Sequence, residues 1–582
     1  MHRLSEVYSR LKEKGFFRGS RERVCIDSVL ELLEKQVEGP SLTFIQLPPG
    51  YGKTAIPYSL CFWAISNDDT RVERAIQVLP LRSIVENVVG RFIGRDKYGE
   101  THGALSLGLT LEEAKSIAGG QCMFMHEASF MQKSFVATTL DTFSLTAAKL
   151  PPVELQKIAR EYVGGMGSFG HYEIARGAIL SSVVVFDEAH LFIEEREKES
   201  KATTLLISLI VSLLELHVPV VVLTATLPSR VREWLGEEVR KYLPNINIER
   251  FEYGVSGLRD NDFEGEISSV KLRTFKVKSD PDYISRIVEE ASRSKRVLVV
   301  ANTVSRARRI YDELSNHLDN LLLLHSKFTQ KDREKKLSCL EKDEEWVCVS
   351  TQVVEAGVDV SADALFTDIA PFCSLVQRAG RCCRPSHVGS SGEGSIVICV
   401  SDEAVSEAEK VYHAELLGKT RLALEKVGEQ FNWHSYESYI PLVNESHSVV
   451  PRKSASLLME MKKFLLDPFV DSKDAFAFLL DLGSFTRDSP LVTGIVCDES
   501  EVKDGLLKEE GNYIPLELSD VREIAKMGGT KIVVREGKVR EESIAESELS
   551  RPKNFYEKVL LGSVAAVRIP PGVYDSDRGL RI

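Results

Sequence analysis

Eight residues constrain this chain more than any other stretch: Leu47-Pro48-Pro49-Gly50-Tyr51-Gly52-Lys53-Thr54. They follow a β-rich apolar run, Leu42 to Ile45, and precede a helix predicted from Ala55. Strand, glycine loop, Gly-Lys-Thr and helix, in that order, make a P-loop. Its glycines let backbone N–H groups turn inward around a phosphate, and the helix N-terminus adds partial positive charge. The expected nucleotide-binding set is Pro49, Gly50, Tyr51, Gly52, Lys53, Thr54 and Ala55. Lys53 reaches the β- and γ-phosphates of ATP, and the Thr54 hydroxyl holds Mg²⁺. The usual first glycine falls on Leu47, whereas Gly52-Lys53-Thr54 is intact.

A P-loop needs a parallel sheet and a second carboxylate-bearing strand. Val183 to Phe186 is the short all-apolar run of a buried parallel strand, and Asp187-Glu188-Ala189-His190 follows it. Asp187 is predicted to hold the Mg²⁺ and Glu188 to align and deprotonate the attacking water. Ala75 to Leu79 and Val220 to Leu223 read as further strands, the latter ending in Thr224-Ala225-Thr226. At the ends of two strands stand candidates for a sugar-phosphate chain: Arg82 after one, Thr139 and Asp141 after the other. A helix cap and a Thr-rich strand end explain the same residues equally well. No glutamine lies in register to read an adenine.

The αβ rhythm restarts after a polar, acidic stretch at Asp260 to Gly265. Strands are predicted at 297–301, 321–324, 347–350, 365–367 and 396–400. No second P-loop appears. The second unit therefore closes the γ-phosphate side of the first with arginines that neutralise transition-state charge. Arg381 and Arg384, three apart on a predicted helix, are the candidate fingers, with Gln377 in the same motif. Gly357 and Asp359 approach the nucleotide from that side, and Thr303 and Thr351 face the nucleic-acid side. The remainder, with helices predicted at 407–427 and 454–466 and strands at 491–497 and 531–534, reads as a mixed α/β tail. The expected units are 1–260, 261–402 and 403–582.

The whole-chain numbers limit the partners. At 582 residues the chain exceeds a single core. A formal charge of -12 argues against wholesale electrostatic binding to nucleic acid but allows a local basic groove. The ten cysteines include no C-x-x-C pair, which suits a reducing cytoplasm and a metal-free chain. No apolar run approaches ~20 residues, so no membrane span is expected.

Together, Gly-x-Gly-Lys-Thr, Asp-Glu-Ala-His, Thr-Ala-Thr and Gln-Arg-x-Gly-Arg-x-x-Arg resemble superfamily 2 helicases. The run Thr351 to Asp359, then Ala370-Pro371 and Leu375 to Arg381, is similar to the helicase of type I CRISPR interference; Val573 to Leu580 resembles the end of that family. Cys382-Cys383 replaces the family's common Val-Asn, a change expected to be tolerated as packing. The resemblance implies two tandem RecA-like domains plus a mixed α/β accessory domain that helps cover the nucleic-acid channel. It further implies ATP-driven movement on single-stranded DNA after recruitment to a crRNA-guided surveillance complex. Full-length relatives carry an HD-type metal nuclease, yet the chain contains no His-Asp dipeptide. The expectation is therefore the split form, whose nuclease is a separate polypeptide. An RNA helicase or a nucleotide-gated recruitment scaffold remains open on the same motifs.

Overall fold

The fold was described from a computed structural model, which covers residues 2–17, 23–94, 101–123, 125–165, 167, 170–194, 199–340, 344–355, 360–384, 392–447, 451–467, 469–487, 491–498, 502, 511–535, 538–550 and 552–582. The first body is built on a sheet of β1 (Ser41–Gln46), β2 (Arg74–Leu79), β3 (Ala118–Cys122), β4 (Met125–His126), β5 (Phe135–Thr139), β6 (Ser182–Asp187), β7 (Val220–Thr224) and β8 (Asn247–Glu252). Its spatial order is β4-β3-β5-β2-β6-β7-β1-β8, parallel except where β4 turns back on β3. All six residues of β1 and of β6 are buried, as strands covered by helices on both faces must be. β7 separates β1 from β6. The P-loop and the acidic motif therefore emerge two strands apart at the same carboxyl edge, where open α/β sheets bind ligands.

The second body carries a six-stranded, all-parallel sheet. It contains β9 (Lys271–Val277), β10 (Arg296–Val300), β11 (Leu321–Leu324), β12 (Trp346–Ser350), β13 (Ala364–Asp368) and β14 (Glu393–Cys399), ordered β11-β12-β10-β13-β14-β9. The two parallel sheets with covering helices are RecA-like. Between them the expected linker at 260–265 is helical: Asp260 caps helix Asn261–Ser268 by accepting from the Phe263 N–H at 2.9 Å. The acidic composition suggests a linker, yet Asp262 and Glu264 suit the first turn of a helix.

Residues 403–582, expected as one accessory unit, divide among three places. The predicted helix over 407–427 is two helices, Asp402–Glu409 and Ala414–Lys426. Helix Tyr436–Ser446 returns to the first body, where Ser229 N–H donates to Asn444 Oδ1 at 2.8 Å. Helices Ala455–Leu466 and Ser472–Leu482 join the first body's outer core through Leu458, Met461, Phe464, Phe476 and Leu479. Only the last part has a sheet of its own: β15 (Val492–Val496), β16 (Tyr513–Leu516), β17 (Thr530–Arg535), β18 (Lys538–Ser543) and β19 (Val564–Ile569), ordered β16-β15-β19-β17-β18.

This terminal body touches both others. Its helix Pro552–Leu560 lies against helices Leu155–Tyr162 and Ser472–Leu482 of the first body's side. Its final residues, with β20 (Tyr574–Asp575) and β21 (Gly579–Leu580), latch onto the second. There the Leu580 N–H donates to the Lys327 carbonyl at 2.9 Å. Arg308 donates to the carbonyls of Arg578 (3.3 Å), Ile582 (3.3 Å) and Leu580. Gly579 holds φ +75°, and a Cβ there would come within 2.7 Å of the His325 ring and the Lys327 carbonyl, so the latch admits only glycine at this point. No helix among the described residues is long and apolar enough to cross a membrane.

Candidate nucleotide and nucleic-acid site

The P-loop turns on Gly50 (φ +77°) and Gly52 (φ +95°), conformations that side chains with a Cβ rarely adopt. Helix Ala55–Ile65 starts directly after Thr54, and the Thr54 side chain makes no capping bond, which leaves its hydroxyl for a metal. Tyr51 departs from expectation. Its side chain is fully buried and its OH donates to Asp260 Oδ2 at 2.7 Å and accepts from the Cys25 N–H at 3.1 Å. Its own N–H donates to the Pro48 carbonyl at 3.3 Å. Tyr51 shapes the loop by anchoring it to the inter-sheet helix; the ring meets Phe263 edge-on at 4.8 Å.

Lys53 lies at the floor of the site, its Nζ 3.4 Å from the Leu47 carbonyl and 3.7 Å from Glu188 Oε1. Glu188 follows β6 with φ +49°, a left-handed turn that is strained for a non-glycine residue and folds its carboxylate back toward Lys53. Burial opposes its ionisation, but the charges of Lys53 and Arg381 outweigh that and hold its carboxyl below the ordinary range. Asp187 behaves oppositely. Burial and the neighbouring Glu188 push it up to about 7, against the pull of Lys53. Gln77 Nε2 donates to Asp187 Oδ2 at 2.7 Å and fixes its orientation.

Glu188 Oε2 is buried without a hydrogen-bond partner among the described residues and lies 3.5 Å from His190 Nδ1. An orphaned carboxylate oxygen beside a phosphate cradle is a seat for the attacking water. Asp187 and the unspent Thr54 hydroxyl likewise fit a hard divalent cation such as Mg²⁺. His190 Nδ1 is 3.1 Å from Thr224 Oγ1, and burial pulls its ring down to about 4, so it is neutral at physiological pH. Thr226 Oγ1 in turn accepts from Gln377 Nε2 of the second body at 3.3 Å. Gln377 therefore joins the two bodies at the Thr-Ala-Thr strand end.

The second body presses directly on the loop. A Cβ on Gly380 would lie 3.3 Å from Pro49 Cβ, and one on Gly50 would lie 3.5 Å from Arg384 Nε. Arg384 thus covers the phosphate cradle. Arg381 acts on Glu188 by its charge while donating to the carbonyls of Val354 (3.1 Å) and Glu355 (2.8 Å). It holds the start of the segment in which Gly357 and Asp359 stand; those two lie outside the described residues.

Sequence reasoning passed over Arg378, which the structure buries completely. It donates to Glu355 Oε1 (2.8 Å), Thr367 Oγ1 (2.8 Å), the Asp368 carbonyl (3.2 Å), Asn302 Oδ1 (3.0 Å) and Tyr412 OH (3.3 Å). It also passed over Arg333, in helix Gln330–Leu340, whose guanidinium feels burial and then the Arg82 charge from the first body. Its charge, like that of Arg82, suits an anionic strand. The available signal was a basic helix following directly on a strand end.

The other nucleic-acid candidates fare unevenly. Arg82 Nε donates to Glu86 at 3.0 Å and stays at the cleft. The Thr139 hydroxyl caps its own helix, accepting from the Thr142 N–H at 3.4 Å. Thr351 is buried at the end of β12. Thr303 is corrected: its hydroxyl donates to Glu407 at 2.6 Å and caps helix Val304–Leu314, so it serves packing. Asp141 is corrected too, since Thr486 and Arg487 engage its carboxylate.

The two RecA-like bodies, with a P-loop on one and arginines from the other over it, define a superfamily 2 helicase, an ATP-dependent and hence nucleotide-binding class. Residues 27–234 match the DEAD/DEAH box helicase family. Residues 293–387 match the family described as CRISPR-associated nuclease/helicase Cas3, C-terminal, so the second domain is Cas3-like. The chain is 30% identical over 262 residues to the CRISPR-associated helicase Cas3 of Thermoproteus tenax, covering 44% of this chain and 39% of that one. It is 25% identical over 418 residues to the CRISPR-associated nuclease/helicase Cas3 of Methanothermobacter thermautotrophicus, covering 68% and 44%. The matches thus span less than half of these relatives' length. The T. fusca Cas3 crystal structure shares the fold, with TM-score 0.61 and 16% identity over 98% of this chain and 69% of that one.

Proposed function

We propose that the chain is an ATP-driven motor of CRISPR antiviral defence, moving along single-stranded DNA and unwinding target DNA for a nuclease on a separate polypeptide. The observation that carries the motor reading is the convergence of Lys53, Glu188 and Arg384 at one interface, since neither body completes the site alone. Lys53 binds the terminal phosphates. Glu188 Oε2 accepts the proton of the attacking water, and Arg384 meets the charge that develops as the bond breaks. A Mg²⁺ held by Asp187 and Thr54 would neutralise phosphate charge. Loss of the γ-phosphate removes what Arg384 grips, so the bodies separate and re-close with each turnover.

CRISPR recruitment rests on the Cas3-like second domain and on the relatives' names. A structure titled as a CRISPR RNA-guided surveillance complex, pre-nicking, contains a chain of this fold at TM-score 0.56 and 17% identity, covering 98% of this chain and 71% of that one. For the nuclease the reading looks outside the chain, because its twelve histidines are dispersed and none precedes an aspartate. The test measures ATP hydrolysis with matched DNA and RNA single strands, then strand separation, then cleavage in Mg²⁺, Mn²⁺, Co²⁺ or Ni²⁺. DNA-stimulated hydrolysis without cleavage is expected, with cleavage appearing when an HD-type nuclease is added. Stimulation by RNA alone assigns the motor to RNA, and cleavage lost on mutating this chain's own His or Asp residues removes the separate nuclease.

A further inference from the structure

Three distant pieces of chain meet at the carboxyl end of β5. Asp141 stands in the first turn of helix Leu140–Ala147. The segment following helix Ser472–Leu482 crosses in front of it, so that the Thr486 hydroxyl donates to Asp141 Oδ1 and Arg487 Nη2 lies 3.7 Å from Asp141 Oδ2. From the terminal body comes Tyr556, whose hydroxyl is raised by burial and then by Asp141. The segment is fastened by other means: Lys201 Nζ donates to the Leu482 carbonyl at 3.0 Å and the Arg487 carbonyl at 3.4 Å, and Phe476, Leu479 and Phe485 pack into the outer core.

A carboxylate in the path of a sugar-phosphate chain repels it. Here the Asp141 side chain, 41% exposed, is paired with the Arg487 guanidinium, 48% exposed, which offsets its charge. A pair this open adds at most about 1 kcal/mol to stability, so attachment of the segment does not account for it. A guanidinium carries five donors in a planar fork, a geometry that fits a phosphate.

We propose that Arg487 is a backbone-phosphate contact for the single strand, that Asp141 is its positioning residue, and that the segment carrying it completes the nucleic-acid path of the first body. This rests on the nucleic-acid reading above. The contact is to phosphodiester, without regard to sequence.

The experiment is fluorescence anisotropy of a labelled oligo-dT strand with the full chain across a salt series, in a non-hydrolysable ATP analogue. Wild type gives a linear fall of log affinity with log salt. Arg487→Ala is expected to flatten that slope by about 0.7, one single-strand phosphate, and to weaken binding about fivefold near 0.1 M salt. Arg487→Lys keeps the slope. Arg487→Gln, which retains the stem, reads the same as Arg487→Ala if the shorter side chain disturbs folding. A wild-type slope in Arg487→Ala and Arg487→Gln overturns the proposal and leaves Arg487 as a fastener. No salt-dependent binding by wild type overturns the nucleic-acid reading itself.

Discussion

Lys53 and Glu188 hold one another across 3.7 Å, so neither can be changed alone without retuning the other. Lys53→Ala removes the phosphate contact and also the cation that keeps Glu188 ionised. Hydrolysis should fall to background while single-strand binding survives; steady-state turnover near wild type would sink the P-loop assignment. Glu188→Gln keeps the shape and loses the base, so it should bind ATP, turn over at least ~10²-fold slower and retain DNA in a long-lived complex, read by single-turnover kinetics. Arg384→Ala should cost as much as ~10³ in kcat with little change in nucleotide affinity. An equal loss in both would make Arg384 a ground-state contact. At this scale the sequence was legible where chemistry demands fixed spacing: Lys53, Asp187, Glu188 and Arg384 fall together. It was not legible where a hydroxyl or acid has local alternatives. Thr303 is drawn to Glu407, and Asp141 to a residue more than three hundred positions away.

Elements were readable in proportion to their burial. Strands β6, β7, β10 and β12 announce themselves as apolar runs, and β1 nearly so with Thr43 in its middle, because both faces are covered. β8 and β9 do not: both lie at sheet edges and alternate charge with apolar residues, so they read as polar connectors. The motif helix Phe372–Ala379 shows a second limit. The motif's arginines look alike in sequence, yet Arg378, within the helix, turns inward to five partners, while Arg381 and Arg384 lie beyond its end, not on the helix predicted for them, and face the cleft. Arg378→Ala strands a buried Glu355 and should destabilise the second body by about 3–5 kcal/mol, seen as a lowered thermal midpoint. Arg384→Ala should leave stability within about 0.5 kcal/mol of wild type. Equal melting of both variants would contradict this division between inward and outward arginines.

Across the whole molecule the terminal body is the least legible in sequence, because its anchors are long-range. His325 shows the kind of tie involved. The Lys327 N–H donates to its Nδ1 at 3.2 Å, which leaves Nε2–H to meet the Arg578 carbonyl at 3.2 Å. Burial and then Arg308 pull its ring down to about 3. An unfolded histidine protonates near 6.5, so the latch keeps its full contribution above that pH and loses it as pH falls from about 6.5 toward 3. Hydrogen-exchange protection factors at residues 574–582, taken against the intrinsic rate at each pH, should therefore fall on acidification, and His325→Gln should remove that dependence. The same tail, together with helix Pro552–Leu560 on the opposite body, closes a circuit through three sheets. A circuit denies its members separate fates: heat should take them apart in one calorimetric transition, and a variant cut loose at Gly579 should melt in two.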